Sequence, residues 1–157
     1  MATPHVAGIA VLLAAHEPSL TPAQIVQRII TTSKPVLTLA SKAIGSGRAD
    51  AFNALTNHTA DAGSPQIAAV TTNKKSITVD GIGFRNGSAL VEANGVALGE
   101  NAVYDSSFVL ANGTITELSV RLGKPLMKST FPSGVPVQVT VFNPTTGERS
   151  AAFTYTK

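Results

Sequence analysis

The spacing of apolar residues divides the chain into a helical part followed by a strand part. From Val6 to Ala15 nearly every residue is apolar, which predicts a helix without a polar face. Thr3 and Pro4 stand before this run as the predicted N-cap and first helical residue. A helix of this composition is normally buried on all sides, and Gly8 in its interior predicts close packing of the backbone.

Two more helices are predicted before residue 64. Thr21 and Gln24 form a capping-box pattern that begins the second helix, and Pro35 is predicted to stop it after Ser33. Arg28 is predicted to point away from its apolar face, which is formed by the pairs Ile25/Ile29 and Val26/Ile30. A turn at residues 45–47 precedes a short helix predicted within residues 48–55.

After Ser64 the apolar period changes from 3.6 to 2, which indicates strands. Asn94-Gly95 is a strong hairpin signal, and Asn143-Pro144 marks another turn. Short antiparallel strands at regular spacing predict a sandwich. The predicted strands are residues 66–70, 76–79, 89–93, 114–122, 135–141 and 151–155.

Composition changes at the same point. Of the eight aromatic residues only Phe52 precedes residue 64, and residues 57–64 are small and polar, as is typical of a linker. The 157 residues therefore predict an α + β protein in two parts. Residues 1–56 form the helical part, residues 57–64 the linker, and residues 65–157 an all-β sandwich.

Charge and residue usage exclude several classes of function. Twelve Lys and Arg against nine Asp and Glu give a net charge of +3, too weak a field to favour nucleic acid. The chain has no Cys, and hence no thiol nucleophile or thiolate metal site. It also has no apolar run of about 18 residues, so no membrane span is predicted, and no basic region precedes the first apolar run as in a signal peptide. We expect no cofactor and no metal, because Asp80, Glu92, Asp105 and Glu117 lack metal-loop spacing and are predicted to be solvated.

The first eight residues, MATPHVAG, resemble the segment that directly follows the nucleophile in subtilisin-like serine proteases (subtilases). This motif, whose role here is structural, is Met1, Ala2, Thr3, Pro4, His5, Val6, Ala7 and Gly8. Residues 16–33, HEPSLTPAQIVQRIITTS, are similar to the family's following helix, and residues 45–55, GSGRADAFNAL, to its closing turn and helix. The resemblance covers residues 1–56 and implies the last helices of a subtilase α/β domain.

Subtilase catalysis uses a Ser nucleophile, a His base, an orienting Asp and an Asn that helps to hold the oxyanion. The resemblance implies that the nucleophile would immediately precede Met1 and that the other three belong to segments further upstream. No catalytic residue is therefore assigned here. We expect a C-terminal fragment of a secreted endopeptidase, inactive by itself, whose parent acts on protein substrates. A reading frame begun at the Met of the motif would produce such a fragment.

The remaining Ser, His and Asp residues provide the residue types of a catalytic triad but no evidence that they lie together. A substitute triad would combine Ser33 or Ser41 with Asp50 and a histidine, and nothing in the sequence places these groups within the ~3 Å that catalysis requires. His5 matches the family's non-catalytic histidine. The other two histidines, His16 and His58, are predicted to be solvent-exposed.

Residues 65–157 resemble an IPT/TIG domain, an immunoglobulin-like module of cell-surface receptors, transcription factors and bacterial secreted enzymes. The segments SITVDGIGFRNGSALVEANG and GVPVQVTVFNPTTGERSAAFTY carry this resemblance. In such a domain, Gly81 and Gly83 would allow a positive φ at a bulge, Phe84 would fill the core, and Phe153 and Tyr155 would lie on one face.

Two surfaces are predicted to meet partners. Residues 123–134 are predicted to form a long loop that exposes Lys124, Met127, Lys128 and Phe131 and binds a partner, although such a loop can also simply cover a sheet edge. An alternative function is therefore a non-catalytic binding or spacer module of a cell-surface or secreted protein, with a polysaccharide or surface protein as its ligand.

The first helix is the second such surface. In a subtilase the equivalent helix is covered by a central sheet, and these residues do not supply one. The aliphatic side chains of residues 6–13 each favour burial by about 1.5–3 kcal/mol. We therefore predict self-association through Val6, Ile9, Val11, Leu12 and Leu13.

Overall fold

The helical part contains three helices and one small two-stranded sheet. The computed structural model describes residues 3–40, 42–44, 47–58, 63–99, 102–103, 109–110 and 113–157. Helices α1 (Thr3–His16), α2 (Pro22–Thr31) and α3 (Ala51–Thr56) pack on one another. Strands β1 (Lys34–Pro35) and β2 (Gly47–Arg48) pair antiparallel, and a 3-10 turn at Leu37–Leu39 follows β1. The residues before β2 in the predicted turn, 45 and 46, lie outside the described residues.

The start of α2 confirms the capping box. Gln24 N donates to Thr21 Oγ1 at 3.3 Å, and Thr21 N donates to Gln24 Oε1 at 2.8 Å, so each side chain satisfies a backbone donor of the first turn. The end of this helix differs from the prediction. Its last residue is Thr31, two residues earlier than expected, and Pro35 lies in β1 instead of acting as the immediate stop.

The core of the helical part consists of Ile9, Leu13, Ile25, Ile29 and Ala54. It corrects the predicted apolar face of α2, because Val26 is 57% exposed. Arg28 was predicted to point away, which is wrong. Its guanidinium forms an ion pair with Glu17 at 3.1 Å and donates to Ala54 O at 3.4 Å, so this long side chain connects α2 to α3.

Helix α1 is covered on one side only, so the prediction that it is buried all round is wrong. Val11 is 69% and Leu12 51% exposed, because the packing against α2 and α3 reaches only the face that carries Ile9 and Leu13. Close packing at Gly8 is also wrong within the described residues, since a Cβ built there would have no atom within 4 Å. The helix begins at Thr3, one position before the predicted first residue Pro4.

The strand part forms two antiparallel sheets. One has the strand order β3-β4-β8-β7, and in the other β9 lies between β5 and β10, with β6 beyond β5 and β11 also paired to β9. All six predicted strands overlap strands of the structure. The bounds are β3 Gln66–Thr72, β4 Ser76–Arg85, β5 Leu90–Ala93, β6 Val96–Ala97, β7 Ala102–Val103, β8 Thr114–Arg121, β9 Pro136–Asn143, β10 Glu148–Arg149 and β11 Phe153–Thr156.

Both sheets contribute to a single buried core. Alternate residues of each strand point inward, as the period of 2 predicts, so Ile77 and Val79 of β4 meet Val139 and Val141 of β9. Phe84 is fully buried in this core, and Phe153 and Tyr155 pack against it together, as predicted. The core shares no buried residue with the core of the helical part.

The segment between β8 and β9 is a helix instead of the predicted exposed loop. Helix α4 spans Lys124–Thr130, with Pro125 in its first turn. Met127 and Phe131 are each 1% exposed, so their predicted exposure is wrong. The i, i+4 spacing puts the side chains of Met127 and of the C-cap residue Phe131 on the face of this short helix that closes the core.

Two glycines of β4, Gly81 and Gly83, are required for different structural reasons. The pairing of β4 shifts register between Asp80 and Phe84, where a bulge was predicted, and Gly83 has φ +76°. Gly81 does not have a positive φ; it is required because a Cβ there would overlap the Gln66 carbonyl oxygen and the Phe84 ring. The role predicted for Gly83 is confirmed and that for Gly81 is corrected.

Both predicted hairpins are present. Asn94 and Gly95 connect β5 to β6 and have φ of +49° and +80°. Two-residue turns with positive φ match the right-handed twist of the strands that they connect. The turn after Asn143 connects β9 to β10.

Within the described residues, no helix has the length and apolar character needed to cross a membrane. Part of the predicted linker, residues 59–62, lies outside the described residues.

Candidate functional site

The subtilase-like motif lies at the start of α1. Met1 and Ala2 are outside the described residues, and Thr3 through Gly8 form the first turns of the helix with exposed side chains. The segment that follows the nucleophile in subtilases is thus a helix N-terminus here, the element that the resemblance implies.

The structure does not bring a substitute triad together among the described residues. Ser33 is 5% exposed and its hydroxyl has no hydrogen-bond partner. Asp50 is the N-cap of α3, where Oδ1 accepts from Asn53 N at 3.0 Å. His16 and His58 are exposed, as predicted, and Ser41 lies outside the described residues.

Three buried polar residues, Thr32, Ser33 and Asn53, lie where the end of α2 packs against α3. Thr32 Oγ1 donates to Arg28 O at 2.7 Å, and Asn53 Nδ2 donates to Thr32 O at 3.3 Å, which connects the end of α2 to α3. Gly47 must lack a side chain because a Cβ there would lie 2.7 Å from Ser33 Oγ. Sequence analysis did not find this group, since its members are distant in the chain.

Glu92 was predicted to be solvated, and this is wrong. It is 6% exposed and binds Arg149 through two hydrogen bonds of 2.9 and 3.0 Å, while Thr140 donates to it at 2.8 Å. Arg149 also lies over the Phe142 ring, 4.5 Å from its centroid. The hydrogen bond from Arg149 lowers the pKa of Glu92, against the opposing effect of burial. Both oxygens of the carboxylate accept hydrogen bonds in these contacts, which assigns Glu92 a structural role between β5, β9 and β10.

Two further carboxylates, Asp80 and Glu117, lie on neighbouring strands. Asp80 lies directly opposite Glu117 in the β4–β8 ladder, and burial raises the pKa of Asp80. Asp105 lies outside the described residues. No group of three or more potential metal ligands occurs in the part of the chain that the structure describes.

Of the four residues predicted to bind a partner, two are on the surface. Lys124 and Lys128 are exposed on α4. Met127 and Phe131 face inward, where the Phe131 ring meets Tyr155 edge to face at 6.0 Å. Any partner of this helix therefore meets the two lysines together with Leu126, which is also exposed.

Comparison with known families gives one result for the helical part. Residues 1–63 match the model of the Subtilase family. The match covers 63 of the 157 residues and includes all three helices of the helical part. It confirms the resemblance found in residues 1–56, whereas the resemblance of residues 65–157 to IPT/TIG domains stays a prediction. No curated protein and no solved structure matches the chain.

Proposed function

We propose that this chain is the C-terminal part of a secreted subtilisin-like serine endopeptidase. The helical part would be the last helices of the protease domain, and the strand part an appended immunoglobulin-like β-sandwich of the IPT/TIG kind. The family match over residues 1–63 carries the proposal, because the match and helices α1 to α3 coincide. The parent would hydrolyse peptide bonds in protein substrates.

Two features of the strand part support its place in this proposal. Its two antiparallel sheets share one core, the arrangement from which immunoglobulin-like domains are built. The bulge at Gly83 and the hairpin at Asn94-Gly95 also occur where the resemblance requires them. These are general features of such domains, and hence they support the assignment at the level of architecture.

The coding sequence tests the parentage. We expect the DNA upstream of the Met1 codon to encode Gly-Thr-Ser in the same frame, with a catalytic His and Asp further upstream. A stop codon directly before Met1, or an in-frame sequence without these residues, would remove the endopeptidase from the proposal.

The first prediction is that the 157-residue chain is chemically inert. Among the described residues, the candidate nucleophile Ser33 is buried and its hydroxyl has no hydrogen-bond partner, so a fluorophosphonate probe should not label the purified protein. An active serine protease in the same reaction serves as the positive control. Stoichiometric labelling that Ser33→Ala abolishes would show that the chain contains an active site of its own.

A second candidate function is a non-catalytic binding or spacer module of a cell-surface or secreted protein. One observation favours it: the strand part has a basic cleft, which we define by its four cations Lys74, Lys75, Arg121 and Lys124. A pull-down of the full chain with polysaccharides and surface proteins tests this function. Retention of none of them would favour a spacer.

A further inference from the structure

The basic cleft lies at one end of the strand part, where three elements meet. The turn between β3 and β4 forms one wall, the end of β8 another, and the start of α4 the third. The basic cleft is an open depression of about 710 Å³ on the surface. It is distant in sequence from the subtilase-like segment and uses none of its residues.

Backbone hydrogen bonds hold the walls of the basic cleft in place. Asn73 Oδ1 accepts from the backbone N–H groups of Lys75 and Ser76, both at 2.8 Å, which fixes the turn. Lys75 O accepts from Leu122 N at 2.9 Å and from Gly123 N at 3.0 Å, which fixes the start of α4 beside that turn. The cleft is therefore formed before any ligand arrives.

Strand register brings the polar side chains to one face. Ser76 pairs with Arg121 across the β4–β8 ladder, and Ser119 is two residues from Arg121, so all three side chains belong to the same face of the sheet. Ser76 and Ser119 add hydroxyl groups between the cations. The lining thus combines positive charge with neutral hydrogen-bonding groups.

The charge of the basic cleft is concentrated and uncompensated. Four of the chain's twelve lysines and arginines line it, in a protein whose net charge is +3. Among the described residues no carboxylate lines the cleft, and none of its four cations forms an ion pair. Cations gathered in a concave surface repel one another and raise the local concentration of anions.

We propose that the basic cleft binds an anionic glycan, through sulfate or carboxylate groups on the cations and sugar hydroxyls on the Ser side chains, while the Asn73 side chain holds the turn by its bonds to Lys75 N, Ser76 N and Ser76 Oγ. The proposal deepens the second candidate function and rests on it. The described lining contains no aromatic side chain, which disfavours stacking of nucleic-acid bases. It also contains no aromatic or aliphatic residue that could anchor an apolar side chain of a peptide. Arg121 supplies the fork that matches an anionic group with two oxygens.

Calorimetric titration of the full chain tests this proposal. The probes are a heparin octasaccharide for sulfate, an oligogalacturonate for carboxylate, and a dextran oligomer of similar length as the neutral control. Poly-glutamate and single-stranded DNA serve as non-glycan polyanions. We expect binding of at least one anionic glycan, none of dextran, and weaker binding as salt is raised.

Matched variants separate the basic cleft from general charge. Lys75→Glu with Arg121→Glu, and independently Lys74→Glu with Lys124→Glu, should each weaken glycan binding at least tenfold, since each loses two charge-assisted contacts. Lys34→Glu with Lys42→Glu makes the same change in net charge on exposed residues outside the cleft, and should leave affinity within about twofold. Circular dichroism shows which variants remain folded, and the second cleft pair decides if the first does not.

The outcomes distinguish this proposal from the function on which it rests. Equal losses in the cleft and control variants, or DNA or poly-glutamate bound as tightly as the glycans, would overturn the cleft as a glycan site. Binding of dextran or a surface protein that the cleft variants do not change would also overturn it, yet would leave the binding module standing. Binding of no probe would overturn the glycan site and would leave only the spacer role of the second candidate function. Preference for heparin or for oligogalacturonate would identify sulfate or carboxylate as the group bound.

Discussion

Asn143 is the residue that most directly connects the two sheets. It is completely buried at the end of β9, where Nδ2 donates to Gly83 O at 2.9 Å and Oδ1 accepts from Arg85 N at 3.1 Å. Both partners belong to β4 in the other sheet. The side chain thus satisfies the Gly83 carbonyl, which lies where the pairing of β4 with β8 shifts register, and the N–H of Arg85 two residues later.

The second prediction follows from this connection. Asn143→Ala should lower the free energy of unfolding by about 2–4 kcal/mol, because it leaves two buried backbone groups unsatisfied. Urea denaturation followed by circular dichroism measures the loss. Thr145→Ala, at an exposed position in the adjacent turn, is the control and should cost less than about 0.5 kcal/mol. Equal losses for both variants would show that the hydrogen bonds of Asn143 are not what holds the sheets together.

The third prediction concerns Asp80 and pH. Burial raises the pKa of Asp80 above its ordinary 3.8, so the folded state binds this proton more tightly than the unfolded state does. The resulting contribution to stability is present below pH 3.8 and is lost as pH rises through the folded-state pKa. Asp80→Asn should therefore stabilise the protein at pH 7, by up to about 1 kcal/mol, since it also relieves the like charge of Glu117 opposite.

Urea denaturation at pH 4 and pH 7 tests the sign. Asp80→Asn should gain more stability at pH 7 than at pH 4. Glu92→Gln is the contrasting control: its pKa is lowered by Arg149, so its contribution is present above the ordinary value of 4.5 and is lost as pH falls through the folded-state pKa. A variant of Asp80 that is less stable than the natural protein at pH 7 would show that the carboxylate is favourably placed.

At the level of residues, the sequence predicts those features whose partners are close in the chain. The Thr21–Gln24 capping box and the Asn94-Gly95 turn are complete within a few residues. The partners of Glu92 and Asn143 are 48 to 60 residues away, and only strand pairing brings them together. When a buried carboxylate or amide has its partners this far away in the chain, the neighbouring sequence shows no pattern that predicts its burial.

Helix α4 shows the same limit for an element. Residues 124–130 are too few to display a helical period, and the loop prediction relied on the surrounding Gly and Pro residues. The sequence did contain the i, i+4 spacing of Met127 and Phe131. That spacing indicates a helix only when both side chains are known to pack into the same core. The strands were predicted more accurately because alternation over five or more residues reports burial directly.

The fourth prediction concerns helix α1. Its outer face carries Val11 and Leu12, both more than half exposed, and each would gain about 1.5–3 kcal/mol from full burial. We predict that a second copy of the chain covers this face. Sedimentation velocity should show association that depends on concentration, and Leu12→Asp should give a monomer with unchanged helicity. Gln27→Asp, at an exposed position on α2, should leave the association unchanged.

The substitution must be made at Leu12 and not at its neighbour. Leu13 is completely buried in the core of the helical part, so Leu13→Asp would disrupt folding and give no information about association. A natural protein that sediments as a monomer at every concentration would contradict the prediction and would show that the exposed face of α1 is tolerated in water.

For the whole molecule, the two cores remain separate. The helical core and the strand core have no residue in common. Outside both cores, the 3-10 turn at Leu37–Leu39 contacts β3. The change in composition and apolar period near residue 64 predicts this division from the sequence. The packing order of the strands could not be predicted in this way, because periodicity shows which face of a strand is buried and not which strand lies beside it.

The independence of the strand part is the central claim for the whole molecule, and it is the fifth prediction. Residues 65–157 expressed alone should give a β-type circular dichroism spectrum and a single cooperative thermal transition, because every buried residue of their core lies within this span. The transition should fall within a few degrees of the corresponding transition in the 157-residue chain. A fragment that remains unfolded and melts without cooperativity would contradict the proposed boundary, and with it the assignment of an appended domain.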